Sequence, residues 1–249
     1  MSLRLLQISD CHLSHQPDQP YREQQPDANL AQLTRAIEAF DADQLIVTGD
    51  LSEDGSYESY ARLIDWLLVF KTPVAWLPGN HDSLEVMAPM LRAAGFDSGP
   101  LLALGGWQLA LLNSAWAGRP EGELDAERLA ILTSLAATRP CGVLVHHQPV
   151  PVSDWIDRVA LIRPKKFWQA IAQQPSVRWV AFGHVHQRFR SQQMLSETRT
   201  VECLAAPSTA ANSLPGTHRF ELDVSGPMVR WFVLEPDGRY RTGLLSAGP

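Results

Sequence analysis

The chain has 249 residues, a net charge of −6 at neutral pH and a pI near 5.7. A chain of that length buries roughly 70–75% of its unfolded surface, so its core needs no staple. The acidic balance argues against a main role in gripping a nucleic-acid backbone, because Arg163, Lys165 and Lys166, with Pro164 among them, are its only dense basic cluster.

Residues 5–9 form an apolar, strand-like run that ends in Asp10 and His12. Residues 13–29 are polar, rich in proline and glutamine, and irregular; a loop of that length in a compact domain often shapes a pocket. Residues 27–40 place Leu30, Leu33, Ile37 and Phe40 at helical spacing. A second run, residues 45–49, ends in Asp50. A second helix over 56–70 is predicted from Tyr60, Leu63, Ile64, Leu67 and Phe70. A third run over 74–79 meets Asn80, His81 and Asp82, and Asp125 has the position of an N-cap before Leu129, Leu132 and Leu135. Runs over 142–145 and 177–183 end in His146-His147 and in His184 and His186. Residues 200–205, 217–224 and 228–234 read as short antiparallel strands, punctuated by Ser225-Gly226-Pro227 and Asp237-Gly238.

Strands alternating with helices predict an α/β fold. Strands buried on both faces read as continuous apolar runs, and polar residues just past their ends collect at one edge of the sheet, where such folds open their crevices. Taken singly, Asp-x-His, Gly-Asp and Asn-His-Asp are ordinary turn chemistry. Together they predict one site built from distant segments, with a ligand set suited to two divalent metals. Cys11, Cys141 and Cys203 match neither a zinc-ribbon spacing nor a disulfide framework, which favours a reducing compartment. The longest apolar stretch, 101–117, is broken by Gly105-Gly106, Gln108 and Asn113, and no basic-plus-apolar leader is expected ahead of the first strand. A cytoplasmic protein with no membrane partner is the expectation.

Five blocks carry a more specific resemblance: Asp10-Cys11-His12, Gly49-Asp50, Gly79-Asn80-His81-Asp82, His146 and Gly183-His184-Val185-His186. In this order, each after a strand, they resemble the calcineurin-like metallophosphoesterases. The resemblance implies a four-layer α-β-β-α sandwich in a single domain over 1–249, with the metal site in 1–186. Residues 187–249 are expected to supply mainly antiparallel strands completing the second sheet. It also implies one metal on Asp10, His12, Asp50 and His186, and a second on Asn80, His146, His184 and the shared Asp50. Substrate would meet His12, Asp50, Asn80, His81, His146 and His186. His81 is expected to stabilise the phosphoryl oxygens or protonate the leaving group, and Asp82 to orient His81. Mixed imidazole and carboxylate ligation suits iron, manganese or zinc. His147 stays open as an alternative to His146, since adjacent residues of an extended segment face opposite ways.

Further segments resemble one branch, the bacterial class III cyclic nucleotide phosphodiesterases: residues 5–10, 76–82, 146–151, 153–157, 183–187 and 205–209. This implies hydrolysis of 3′,5′-cyclic AMP to 5′-AMP by in-line attack of a water activated between the two metals, with a small nucleotide as partner and no nucleic acid. Leu161-Ile162-Arg163-Pro164 departs from the branch, where a Leu-x-Asn is common. Trp155 could stack on a base or pack on the core. Other phosphodiesters, including 2′,3′-cyclic nucleotides and glycerophosphodiesters, are the main rivals. A phosphomonoesterase and a non-catalytic scaffold on the same fold rank below them.

Overall fold

The computed structural model describes residues 1–247. In chain order its first half contains β1 (Leu3–Ile8), α1 (Pro26–Phe40), β2 (Gln44–Thr48), α2 (Tyr57–Leu68), β3 (Val74–Leu77), α3 (Leu84–Ala93), β4 (Leu101–Leu104), β5 (Trp107–Leu112) and α4 (Ala126–Ala130). There follow β6 (Cys141–Val145), α5 (Asp154–Asp157), α6 (Pro164–Ala172), β7 (Val177–Phe182), β8 (Phe189–Ser196), β9 (Arg199–Ala205), β10 (Asn212–Ser213), β11 (Leu222–Asp223), β12 (Met228–Leu234) and β13 (Tyr240–Ser246).

The apolar runs conceal a period of two. In β2, Leu45 and Val47 face α1–α3, whereas Ile46 faces the other way. In β6, Cys141, Val143 and Val145 join the packing against α4–α6, and Leu144 points inward. The inward residues of both sheets, among them Leu5, Ile46, Leu109, Leu144, Trp179 and Phe232, form a middle core. Two sheets therefore pack face to face with helices outside each, the expected α-β-β-α sandwich.

The first sheet has the order β13-β12-β1-β2-β3, and the second β4-β5-β6-β7-β9-β8. This differs from the expected placement of 187–249. Only β8 and β9 extend the second sheet, and β9 runs parallel to β7. β12 instead lies antiparallel beside β1 in the first sheet, and β13 lies antiparallel beside β12 at its edge. Residues 217–224 contribute only the two-residue strand β11, paired with β10, because half-buried Thr217 and exposed His218 and Arg219 pair with no strand among the described residues.

Ser56 caps α2 by accepting from Ser59 N, and Asp125 caps α4 by accepting from Arg128 N. Parallel strands β1, β2 and β3 end at one edge of their sheet, and parallel β5, β6 and β7 at one edge of theirs. Every candidate ligand lies just beyond such an end.

Candidate metal centre

The backbone leaves these strands in an unusual way. Asp10, His12, Asp50, His184 and His186 all have φ between 43° and 66°, a left-handed conformation that costs a non-glycine residue roughly 1–2 kcal/mol. Backbone hydrogen bonds hold the strain: Asp10 N donates to Gly49 O and His12 N to Asp50 O, each at 3.0 Å. His184 N donates to the Asp10 carboxylate at 3.0 Å. The loops touch so closely that a Cβ on Gly79 would overlap the Asp50 carboxylate, while Gly49 also supplies a φ of 93°.

Ring tautomers follow from fixed acceptors. A carbonyl oxygen can only accept, so His146 Nδ1 donates to Thr48 O at 2.7 Å and His186 Nδ1 to Ala211 O at 2.8 Å. His12 Nδ1 donates to Glu53 Oε2 at 2.7 Å. Each ring then turns its Nε2 inward, with a lone pair to offer in the neutral tautomer. His12 Nε2 and His186 Nε2 face each other at 3.1 Å, two lone pairs that a shared cation would reconcile. Asp10 Oδ1 lies 3.3 Å from His186 Nε2.

Asp50 Oδ2 stands between the two groups, 3.8 Å from His12 Nε2 and 3.3 Å from His146 Nε2. His146 Nε2, His184 Nε2 and Asn80 Oδ1 are buried without hydrogen-bond partners. Orphaned buried donors and acceptors are costly, and this donor set of imidazoles, carboxylates and an amide oxygen fits divalent cations. Burial alone would raise the Asp50 carboxyl, but the surrounding imidazoles, His146 foremost, hold it well below the usual range. Burial and then His146 push His184 down to about 3, leaving it neutral and able to ligate.

His147 is engaged elsewhere. Its Nδ1 bonds Ser114 Oγ at 2.8 Å and its Nε2 donates to Pro120 O at 3.2 Å, so neither nitrogen is free. It nevertheless lies close: His146, His147 and His184 bring one ring nitrogen each within 4.8 Å of one another.

His81 is the most open of the candidate histidines, with 35% of its side chain exposed. Its Nδ1 lies 3.1 Å from Glu53 Oε2, and its backbone N donates to Asp50 Oδ1 at 2.9 Å. Burial disfavours its imidazolium, but Glu53 and then Asp50 outweigh this and hold His81 up to about 9. Asp82 does not meet the expected role, since its carboxylate accepts from Leu51 N, Ser52 N, Gly79 N and Tyr60 Oη. It ties the Gly-Asp loop to the Gly-Asn-His-Asp loop, and the residue that orients His81 is Glu53. Burial raises the Glu53 carboxyl, but its bonds to His12 and His81 prevail and bring it down to about 2.

His12, Asp50, Asn80, His81, His184 and His186 line a cleft of about 240 Å³, together with Tyr21, Arg22, Trp155, Ile156 and Arg158. The 13–29 loop thus shapes the site, with the Tyr21 ring stacked on His12 at 4.0 Å and 6° between planes. Trp155 is buried against Phe220, edge to face at 5.6 Å, and has an unpartnered Nε1. A larger groove of about 680 Å³ lies between α2 and α3, is mainly apolar and holds no candidate ligand. Cys11 is buried, and its thiol is pushed up to about 12, chiefly by burial. His15 and His218 are exposed.

The calcineurin-like phosphoesterase family matches residues 3–188. The chain is 34% identical over 251 residues to the 3′,5′-cyclic adenosine monophosphate phosphodiesterase CpdA of Pseudomonas aeruginosa, covering 98% of this chain and 89% of that protein. It is 31% identical over 247 residues to the Escherichia coli K12 protein of the same name, covering 96% and 88%. Among solved structures, a dimetal phosphatase from Danio rerio superposes with a TM-score of 0.71 at 12% identity, covering 99% of this chain and 96% of that one, which bears on the fold alone.

Proposed function

Because the chain belongs to the calcineurin-like phosphoesterase family, we propose that it is a metal-dependent phosphodiesterase that opens 3′,5′-cyclic AMP to 5′-AMP. The observation that carries this reading is the inward convergence of bare, buried ligand atoms on both sides of Asp50. In the proposal Asp10, His12, Asp50 and His186 hold one divalent cation, and Asp50, Asn80, His146 and His184 hold the other. Saturation of both His147 nitrogens favours His146 as the ligand. The donor set suits iron or manganese, with zinc as a third choice. When bound, the pair supplies a water activated near neutral pH and positive charge facing the phosphoryl oxygens.

The chain's own groups then act on the phosphodiester. Glu53 pairs with the His81 ring at Nδ1, 3.1 Å away, and holds it in place, leaving Nε2–H as the free donor. That donor supports a phosphoryl oxygen and passes its proton to the departing O3′ as the P–O3′ bond breaks. Glu53 also fixes His12 through Nδ1, so one carboxylate orients a ligand and the proton donor together. Asp82 has a scaffolding role in this account. The substrate is a small nucleotide, and the working location is the reducing cytoplasm.

The test is a manganese- or iron-loaded assay comparing 3′,5′-cyclic AMP, 2′,3′-cyclic AMP, bis(p-nitrophenyl) phosphate and p-nitrophenyl phosphate. Preference for the first is expected. Turnover of the monoester alone would refute the proposal, and preference for the 2′,3′ isomer would reassign the substrate.

A further inference from the structure

Resting on the phosphodiesterase reading, we propose that Arg22 is a phosphate-gripping residue outside the metal-binding set, held at the mouth of the cleft by aromatic rings. Its placement is built into the loop. Tyr21 and Gln24 exchange backbone hydrogen bonds, each 2.9 Å, so Arg22 and Glu23 fill a two-residue turn. Their φ values are 47° and 66°, a pair of left-handed positions that a turn of this kind normally gives to asparagine or glycine. Strain of this sort persists where the surroundings impose it and is concentrated at ligand sites.

The surroundings here are specific. Tyr21 lies flat on His12, which seats the turn against a candidate metal ligand. The Arg22 guanidinium carbon lies 4.0 Å from the Phe220 ring centroid, 5.4 Å from Tyr21 and 5.8 Å from Trp155. Arg22 Nε donates to Tyr21 Oη at 3.1 Å, and among the described residues no carboxylate pairs with the guanidinium. The Nη donors are left free, and a guanidinium fork matches the oxygens of a phosphate.

Arg22 lines the same cleft as Asp50, Asn80 and His81, so the anion within its reach is the phosphodiester bound there. Arg158, which also lines the cleft, likewise lacks a carboxylate partner among the described residues; its Nε donates to Trp155 O at 2.8 Å. Two unneutralised cations at one mouth of an acidic protein favour an anionic group over a neutral base edge. The nucleobase is therefore the competing assignment, and the experiment separates the two.

Arg22→Gln, Arg22→Lys and Tyr21→Phe would be compared with the parent enzyme, all metal-loaded. The substrates are 3′,5′-cyclic AMP and bis(p-nitrophenyl) phosphate, which has no nucleobase, and inorganic phosphate binding is titrated by calorimetry. Arg22→Gln is expected to lose kcat/KM by the same factor on both substrates, about 10–100-fold, and to weaken phosphate binding. Arg22→Lys should recover part of the loss, and Tyr21→Phe should lose less than Arg22→Gln. A loss confined to cyclic AMP would assign Arg22 to the base and overturn the proposal, as would unchanged phosphate affinity. Parent enzyme that cleaves only the artificial diester would sink the cyclic AMP reading yet leave the Arg22 comparison intact. If the parent cleaves neither, the phosphate titration still decides.

Discussion

At the scale of single residues, the site is made by side chains whose second atoms are already committed. Thr48 O, Ala211 O and Glu53 each take an Nδ1 proton, and only Nε2 of His146, His186 and His12 is left to face inward. His81→Ala should therefore keep both metals and slow turnover by about 10²–10⁴-fold, checked by metal analysis beside kcat. Glu53→Gln should cost about 10–100-fold, with the loss divided between activity and the affinity of the site holding His12. Unchanged kcat and metal content in Glu53→Gln would remove it from the account. The candidate ligands could be placed from sequence because each follows directly on an apolar run, so strand geometry alone sends it to the sheet edge. Glu53 was not, because a glutamate three residues past Asp50 in a polar turn carries no pattern, and its importance depends on two rings approaching from elsewhere. Asp82 misled for the converse reason: adjacency to His81 says nothing about direction, and four donors draw its carboxylate toward the neighbouring loop.

Elements position this chemistry through close sheet-to-sheet packing. Gly142 in β6 lies under the Trp179 ring, where a Cβ would overlap the indole. Gly142→Ala should destabilise the protein by about 1–3 kcal/mol, visible as a lower midpoint in thermal unfolding. An unchanged midpoint would mean that the middle core is looser than the packing of Trp179 on Phe232, at 4.5 Å, implies. The central strands could be read from sequence because they are long apolar runs with helices between them. The late strands were expected in the second sheet, but alternation tells which face of a strand is buried and not which strand lies beside it. β12 lies beside β1 through pairing across more than two hundred residues, from Leu3 with Leu234 onward, and no local pattern encodes that. Residues 217–224 alternate weakly, yet only Leu222–Asp223 form a strand, and Phe220 turns instead to Trp155, which lines the cleft.

The whole molecule is three cores in series, two between helices and sheets and one between the sheets, with the site where both sheets end. Its cysteines are buried in those layers and free, and burial pushes the Cys141 and Cys203 thiols from an ordinary value of 9.0 up to about 12. Between those values the unfolded chain loses thiol protons that the folded chain retains. The unfolded state then binds fewer protons, so stability falls as pH rises, by about 1.4 kcal/mol per pH unit for each thiol. Denaturant midpoints measured from pH 8 to pH 11 should decline, and Cys141→Ser with Cys203→Ser should reduce that decline, leaving the share of Cys11. Among the described residues no helix is long and apolar enough to cross a membrane.

The claim on which the rest depends is that two cations are held on either side of Asp50. Anomalous diffraction from crystals of the manganese-loaded protein tests it most directly. Two peaks are predicted, one among Asp10, His12, Asp50 and His186 and the other among Asp50, Asn80, His146 and His184. A single peak, or peaks away from the Asp50 carboxylate, would contradict the account.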